Sequence, residues 1–346
     1  MKLAKTIRLN FDKTDTLVLI DEKFRFFTRF VSGRPIIITD DNVNRIWGKN
    51  WEGYPVIEIK SGEKSKNVET VVEIYRQLLH YHVDRSWFIV GIGGGVVCDI
   101  TGFVAGTFLR GLRFGFIPTT LLAQCDAAIG GKNGVNFEGH KNIIGTFNQP
   151  VFILCDPVFL TSLPKDETAN GFAEIVKHAL IADDSLFSLI EQHVSDICTL
   201  QPDIISALTM KSINIKTTVV MADEHDLGER RKLNFGHTFG HAIESVTGLS
   251  HGKAISIGMM LAMEISIRKG FLKNDTFLRI KSLLMQLGLP VSLKTDHSKI
   301  KEAIIKDKKR QEQKIHFVLL SGIGRAIIEQ FSLEEMNRFL DQSAII

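Results

Sequence analysis

The sequence predicts an α/β nucleotide-binding domain with a Rossmann-like open sheet, followed by a mainly α-helical domain. Three observations lead there. The chain has 346 residues, 44% of them hydrophobic, which is more than one core usually serves. Up to about residue 160, short aliphatic runs alternate with segments of helical period. Beyond it the pattern changes to long amphipathic helices. Domains are therefore expected at 1–160 and 161–346, with the switch near Leu160 to Pro164.

The opening stretch MKLAKTIRLNFDKTD alternates polar with apolar residues, as a strand does, and lacks the apolar centre of a signal peptide. Further strands are expected at 15–20, 34–40, 55–60, 86–93, 114–120 and 151–157. Several are nearly continuous aliphatic runs, as in a parallel sheet covered on both faces. NVETVVEIYRQLLHYHV (67–83) supplies helical period between them. Such a sheet takes its ligand where strand order switches at the carboxyl ends, or between domains. Later helices are expected near 168–182, 203–222, 235–247, 252–270 and 274–287. KIHFVLL and RAIIEQF, around SGIG, predict a hairpin, and the charge-dense IKDKKRQEQK (305–314) an exposed loop.

The net charge of +3 is too mild for the dense basic stripe of a nucleic-acid binder. Cys98, Cys125, Cys155 and Cys198 show no metal or redox spacing, so buried thiols in a reducing compartment are expected. No apolar run reaches membrane-spanning length. A cytoplasmic protein with a small-molecule substrate is the expectation, without nucleic acid or membrane as partner.

SWFIVGIG runs into GGGVVCDITGFVAGTF, where glycines at 91, 93, 94 and 95 let backbone approach a diphosphate at a helix start. Val96 stands where G-x-G-x-x-G has its third glycine, so a ligand-free strand-to-helix turn also fits. SGEKSK (61–66) reads as a helix start with Glu63 and Lys66 as a surface ion pair. The glycine-rich 118–145 carries Asp126, Lys132, Lys141 and Asn142, and reads as a binding loop. Arg110, Lys216, Arg230 and Asn234 add polar groups suited to an anion, with Asn234 expected on the same helix face as His237. Singly, each cation is better explained as a solvated charge; their company favours a binding role.

LNFGHTFGHAIESVTGLSHGKAISIGM (233–259) holds His237, His241 and His251 around a Gly-rich turn. Imidazoles four residues apart share a helix face, and the turn puts His251 at the mouth of the next helix. Upstream, NGFAEIVKHALI sets Glu174 and Lys177 three apart on another helix. Two histidines with one glutamate match a catalytic zinc set, against the plainer reading of hydrogen-bonded core histidines.

GGGVVCDITGFVAGTFLRG, PTTLLAQCDAAIGGKNGVN, GHKNIIG, NGFAEIVKHA, LNFGHTFGHAIE and HGKAISIGM, in this order, resemble the 3-dehydroquinate synthases among the sugar phosphate cyclases. The resemblance implies an NAD- and zinc-dependent lyase, with cobalt able to stand in, usually a homodimer. It implies conversion of 3-deoxy-D-arabino-heptulosonate 7-phosphate to 3-dehydroquinate by transient oxidation, phosphate elimination, reduction and aldol closure. It puts the metal on Glu174, His237 and His251, and leaves His241 for substrate or proton relay. Substrate contacts fall on Arg110, Lys132, Asn142, Lys177, Lys216, Arg230, Asn234 and Lys308, with Lys309 as fallback. Cofactor contacts fall on Asp40, Asn42, Glu63, Lys66, Gly94, Gly95, Val96, Asp99, Thr119, Thr120, Asp126, Lys132, Lys141, Ser162 and Glu167.

The chain departs from the family pattern at Ala127 and Ala128, where serines are common, and at Cys98 and Ser162, where glycine and threonine are. A lost hydroxyl removes a hydrogen bond, on the order of 0.5 to 1.5 kcal/mol. Against the synthase stand a cyclase making an inosose or valiolone ring, a metal-dependent polyol dehydrogenase that would release NADH, and a non-catalytic protein on the same scaffold. Arg230, Asn234 and Lys216 favour a substrate with a carboxylate. The retained metal set disfavours a non-catalytic role.

Overall fold

In the computed structural model, which describes residues 5–11, 14–308 and 314–346, the chain divides into two units, Met1–Leu163 and Pro164–Ile346. The first contains β1 (Lys5–Asn10), β2 (Asp15–Ile20), β3 (Arg34–Asp40), α1 (Asp41–Trp47), β4 (Val56–Ile59), α2 (Val68–His80), β5 (Trp87–Gly93), α3 (Gly95–Thr107), β6 (Arg113–Pro118), β7 (Lys132–Phe137), β8 (His140–Phe147) and β9 (Phe152–Cys155). Seven strands form one sheet in the order β1-β2-β9-β6-β5-β3-β4, parallel except for β1 against β2. Consecutive Ile36, Ile37 and Ile38 are all wholly buried, which requires a sheet covered on both faces. The chain steps outward from β3 to β4, then returns to β5 on the other side of β3. The ligand-binding crevice of an open sheet opens at such a reversal.

The stretch read as a glycine-rich loop is largely regular: a single π-turn (Ala123–Ala127) precedes the antiparallel ribbon β7–β8. Within it, Gly134 and Gly145 let the two strands approach closely: a Cβ on Gly145 would fall 2.6 Å from the Asn133 carbonyl oxygen. A Cβ on Gly102 of α3 would come within 1.9 Å of the Asn133 side chain, so the ribbon lies directly on the helix.

The second unit contains α4 (Lys165–Ala182), α5 (Asp184–Gln192), α6 (Val194–Cys198), α7 (Pro202–Ala222), α8 (His237–Thr247), α9 (His251–Arg268), α10 (Asn274–Gln286), α11 (His297–Lys308), the hairpin β10 (Lys314–Gly322) and β11 (Arg325–Ser332), and α12 (Leu333–Asp341). α11 runs through Lys308, so the start of the charge-dense stretch is helical and not a loop; residues 309–313, with Lys309, lie outside the described residues. α8 is bracketed by left-handed Gly236 (φ 77°) and Gly248 (φ 71°). A Cβ on Gly258 of α9 would fall 2.0 Å from the Gly236 carbonyl oxygen and 2.8 Å from the Gly240 nitrogen, so α8 and α9 meet backbone to backbone. Among the described residues no helix is long and apolar enough to cross a membrane.

Candidate active site

In the first unit, β3, β5 and β6 are neighbours, and their carboxyl ends bring Asp40, Gly94–Val96 and Thr119–Thr120 side by side. Gly94 caps α3 with no side chain, and Val96 lies in the first turn. Asp40 caps α1, its Oδ1 accepting from the Val43 N–H at 2.8 Å, and burial raises its carboxyl above the usual range. Asn42 accepts from Arg45 at 2.8 Å. Thr119 N–H donates to the Gly93 carbonyl at 2.9 Å, and Thr120 Oγ1 accepts from Ala123 N–H at 3.1 Å. Asp126 sits in the π-turn.

The expected surface pair of Glu63 with Lys66 does not form. Lys66 is buried and pairs with Asp99 of α3, while Glu63 accepts from Asn136 of β7 at 2.8 Å. Burial pushes the Asp99 carboxyl up, and the Lys66 ammonium offsets this only in part. Lys132, Lys141 and Asn142 lie exposed on the β7–β8 ribbon. The Ser162 hydroxyl is engaged in packing, donating to Phe159 O at 3.0 Å and accepting the Trp47 indole N–H at 3.1 Å. Arg110 is presented by three successive left-handed residues, Leu109 (φ 51°), Arg110 (φ 64°) and Gly111 (φ 122°). It lies past the end of α3, about 20 Å along that helix from Gly94. Its unit therefore does not bring it to the glycine turn.

In the second unit, three helices converge. Gly252 makes this possible, since a Cβ there would meet Asn170 Cα at 2.4 Å. The start of α9 thus rests on α4, and Asn170 Oδ1 accepts the Gly252 N–H at 3.0 Å. One turn further along α4 is Glu174, wholly buried. The Nε2 atoms of His237 and His251 lie 3.6 and 3.4 Å from its Oε1, and one ligand atom from each of the three residues falls within 4.8 Å of the others. A tetrahedral zinc with bonds near 2 Å holds its ligand atoms about 3.3 Å apart, so the donors are spaced for one cation. His237 Nδ1 donates to the Phe235 carbonyl at 3.1 Å, which leaves Nε2 with its lone pair facing Glu174. His251 Nδ1 lies 3.6 Å from Glu244. The donor set, its spacing and its outer partners all fit a divalent cation.

His241 stays outside this triad: it is exposed, with its ring centroid 5.3 Å from that of His237 and 6.2 Å from that of His251. Lys177, 1% exposed, pairs with Glu174. Burial, reinforced by that ammonium, holds His237 well below the ordinary imidazole value. Burial acts the same way on His251, yet Glu174 and Glu244 outweigh it and raise the imidazole to about 9.

Lys216 on α7 and Arg230 are buried too. Arg230 belongs to a short 3-10 segment, Glu229–Asn234, whose start is held by Asp223: the N–H groups of Leu227, Gly228 and Arg230 donate to its carboxylate at 2.9, 2.7 and 3.1 Å. Asn234 ends that segment and is separated from α8 by left-handed Gly236, so it does not share a helix face with His237. Glu167 is exposed in the first turn of α4, accepting from Asn170 at 3.3 Å, and belongs to the second unit. Lys308 closes α11, and its side chain lies outside the described residues. Sequence reasoning passed over Asn136, Glu244 and Asp223. Only Glu244 left a signal, two turns after His237 on the same face.

The 3-dehydroquinate synthase N-terminal family matches residues 56–170, and the corresponding C-terminal family residues 171–310. A 3-dehydroquinate synthase of Thermoanaerobacter pseudethanolicus is 41% identical over 323 residues, covering 89% of this chain and 90% of that protein. Among solved structures, a 2-epi-5-epi-valiolone synthase from Streptomyces hygroscopicus with NAD+ and Zn2+ bound superposes with a TM-score of 0.88 at 29% identity, covering 96% of this chain and 97% of that one. A 2-deoxy-scyllo-inosose synthase complexed with carbaglucose-6-phosphate, NAD+ and Co2+ gives 0.86 at 25%, covering 98% and 100%. With the N- and C-terminal families together matching residues 56–310, and identity higher to the synthase than to these two cyclases, the chain belongs to the 3-dehydroquinate synthase family.

Proposed function

We propose that the chain converts 3-deoxy-D-arabino-heptulosonate 7-phosphate to 3-dehydroquinate and inorganic phosphate, using NAD and a divalent cation, zinc or cobalt in its place. The observation that carries this reading is the spacing of Glu174, His237 and His251 around one point, in a chain of this family. The solved relatives that hold NAD+ with Zn2+ or Co2+ support the cofactor pair. In the first unit, the Gly94–Val96 turn offers backbone donors to the cofactor diphosphate, with Asp40, Asn42, Glu63, Lys66, Asp99, Thr119, Thr120 and Asp126 around the same strand ends.

Bound there, the cation supplies Lewis acidity toward a substrate hydroxyl and NAD a reversible acceptor for two electrons. The chain's own residues do the rest. Lys216 and Arg230, buried cations, suit a substrate that is anionic at both ends; the planar fork of Arg230 matches a carboxylate, with Asn234 beside it in sequence. Arg110, Lys132, Asn142, Lys177 and Lys308 are assigned to the remaining substrate contacts. Burial, with the Lys177 ammonium beside it, favours the unprotonated form of His237, whose lone pair is then free to donate. Exposed His241, one helical turn from His237, is placed to carry a proton to the departing phosphate or to solvent. The products together contain every atom of the substrate, so no reduced cofactor is released.

Purified protein supplied with NAD+, Zn2+ and the heptulosonate phosphate should release phosphate and the carbocycle one for one. Steady accumulation of NADH would instead identify a dehydrogenase. Turnover of sedoheptulose 7-phosphate or glucose 6-phosphate in preference would point to the valiolone or inosose cyclases. The same reading implies a cytoplasmic homodimer. Light scattering at the monomer mass would remove the dimer assignment.

A further inference from the structure

Asn136 makes three bonds at once, two to the segment Glu63–Asn67 and one to Asn142. Its backbone N–H donates to the Lys66 carbonyl at 2.9 Å, completing a bridge with Asn67. Its side-chain Nδ2 donates to Glu63 Oε1 at 2.8 Å. Its Oδ1 accepts the backbone N–H of Asn142 at 2.9 Å. Asn142 stands at φ 52°, a left-handed conformation that asparagine tolerates better than most residues with a side chain, and its N–H is held there by Asn136. Asn136 is half-buried on β7, a strand packed on α3, so it is itself held firmly.

We infer that Asn136 is a positioning residue that locks the cofactor-facing segment Glu63–Asn67 to the substrate-facing Asn142, so that one side chain sets both. The inference rests on the cofactor and substrate assignments proposed above. The amide is chemically suited to this: it donates to a carboxylate and accepts from a backbone N–H in the same plane, which neither a carboxylate nor a hydroxyl reproduces.

The test is a cycle of isosteric changes in the full chain, with NAD+ affinity read by calorimetry. N136D sets two carboxylates against each other at Glu63 and should weaken NAD+ binding by about tenfold or more. E63Q/N136D remakes the bond with its direction reversed, the amide now donating from position 63 to a carboxylate at position 136, and should bind within about threefold of E63Q alone. A merely structural role predicts the same loss from N136D in either background. That result, or wild-type affinity in N136D, would overturn the link to the cofactor. The second arm reads substrate KM: N136D keeps an acceptor for Asn142 and should stay near wild type, whereas N136A should raise KM, and equal values for the two variants would overturn the link to Asn142. If the unaltered chain binds no NAD+, the cofactor reading itself falls and this inference with it. Normal binding by wild type with no effect of N136D removes the inference alone.

Discussion

The two units present their polar groups in contrasting ways. In the first, apart from the buried Lys66–Asp99 ion pair, which behaves like the second kind, the proposed cofactor site is made mostly of backbone and of side chains fixed by single hydrogen bonds, such as Asp40 to Val43 and Thr120 to Ala123. In the second, Glu174, Lys177 and Arg230 are long ionisable groups at 0%, 1% and 2% exposure. Trimming the first kind of site removes a hydrogen bond, about 1 kcal/mol net. Taking one partner from a buried charged pair strands the other, about 3 to 5 kcal/mol. The first site should therefore respond in degrees and the second nearly all or none.

The largest effect expected is that of Glu174→Gln, which should lose bound cation and leave below about 1% of turnover. Elemental analysis after dialysis decides this, and full metal content would break the contrast. Next is Gly252→Ala. Its added carbon must displace Asn170, which lies 2.4 Å away. We expect a loss of about 2 kcal/mol and a melting point lower by about 5 °C, with weaker cation binding. An unchanged melting curve would show that α9 has room to shift.

Asp223→Asn tests how Arg230 is held. Burial pushes the Asp223 carboxyl up, but the N–H groups of Leu227, Gly228 and Arg230 outweigh it and leave its pKa below the ordinary value. A depressed folded-state value means the stabilisation is present above the unfolded value, near pH 4, and is lost as pH falls through the folded one. The variant should cost about 1 kcal/mol from about pH 5 to about pH 7, with the gap closing in stronger acid. Urea unfolding across that range gives the answer, and a gap that widens on acidification would refute the assignment. The smallest change should come from Ala127→Ser, in the first unit. Restoring the hydroxyl should alter NAD+ affinity by no more than about tenfold, as titration would show.

The same contrast explains what could be read from sequence. The parallel strands were legible because burial on both faces leaves uninterrupted runs such as PIIIT, and α8 and α9 because glycine marks their ends. The β7–β8 ribbon was not, since Gly134 and Gly145 serve the close approach of its two strands and mimic a loop. The histidine cluster was visible as a pattern, but spacing alone could not choose between His241 and His251. That choice depends on α9 resting on Asn170, a contact between residues 82 positions apart. Lys66 was misassigned to Glu63 for the same reason: its partner Asp99 is distant in sequence.

The crossing of α8 and α9 at Gly236, Gly240 and Gly258 has a consequence for how the chain acquires its metal. With main chain pressed on main chain at Gly258, the two histidine-bearing helices have little room to shift, and we expect the cage to be shaped before any ion arrives. Chelators should empty it, and fresh zinc refill it, with the far-ultraviolet circular dichroism unchanged throughout. Loading would then be an equilibrium of the finished protein and not a step in making it.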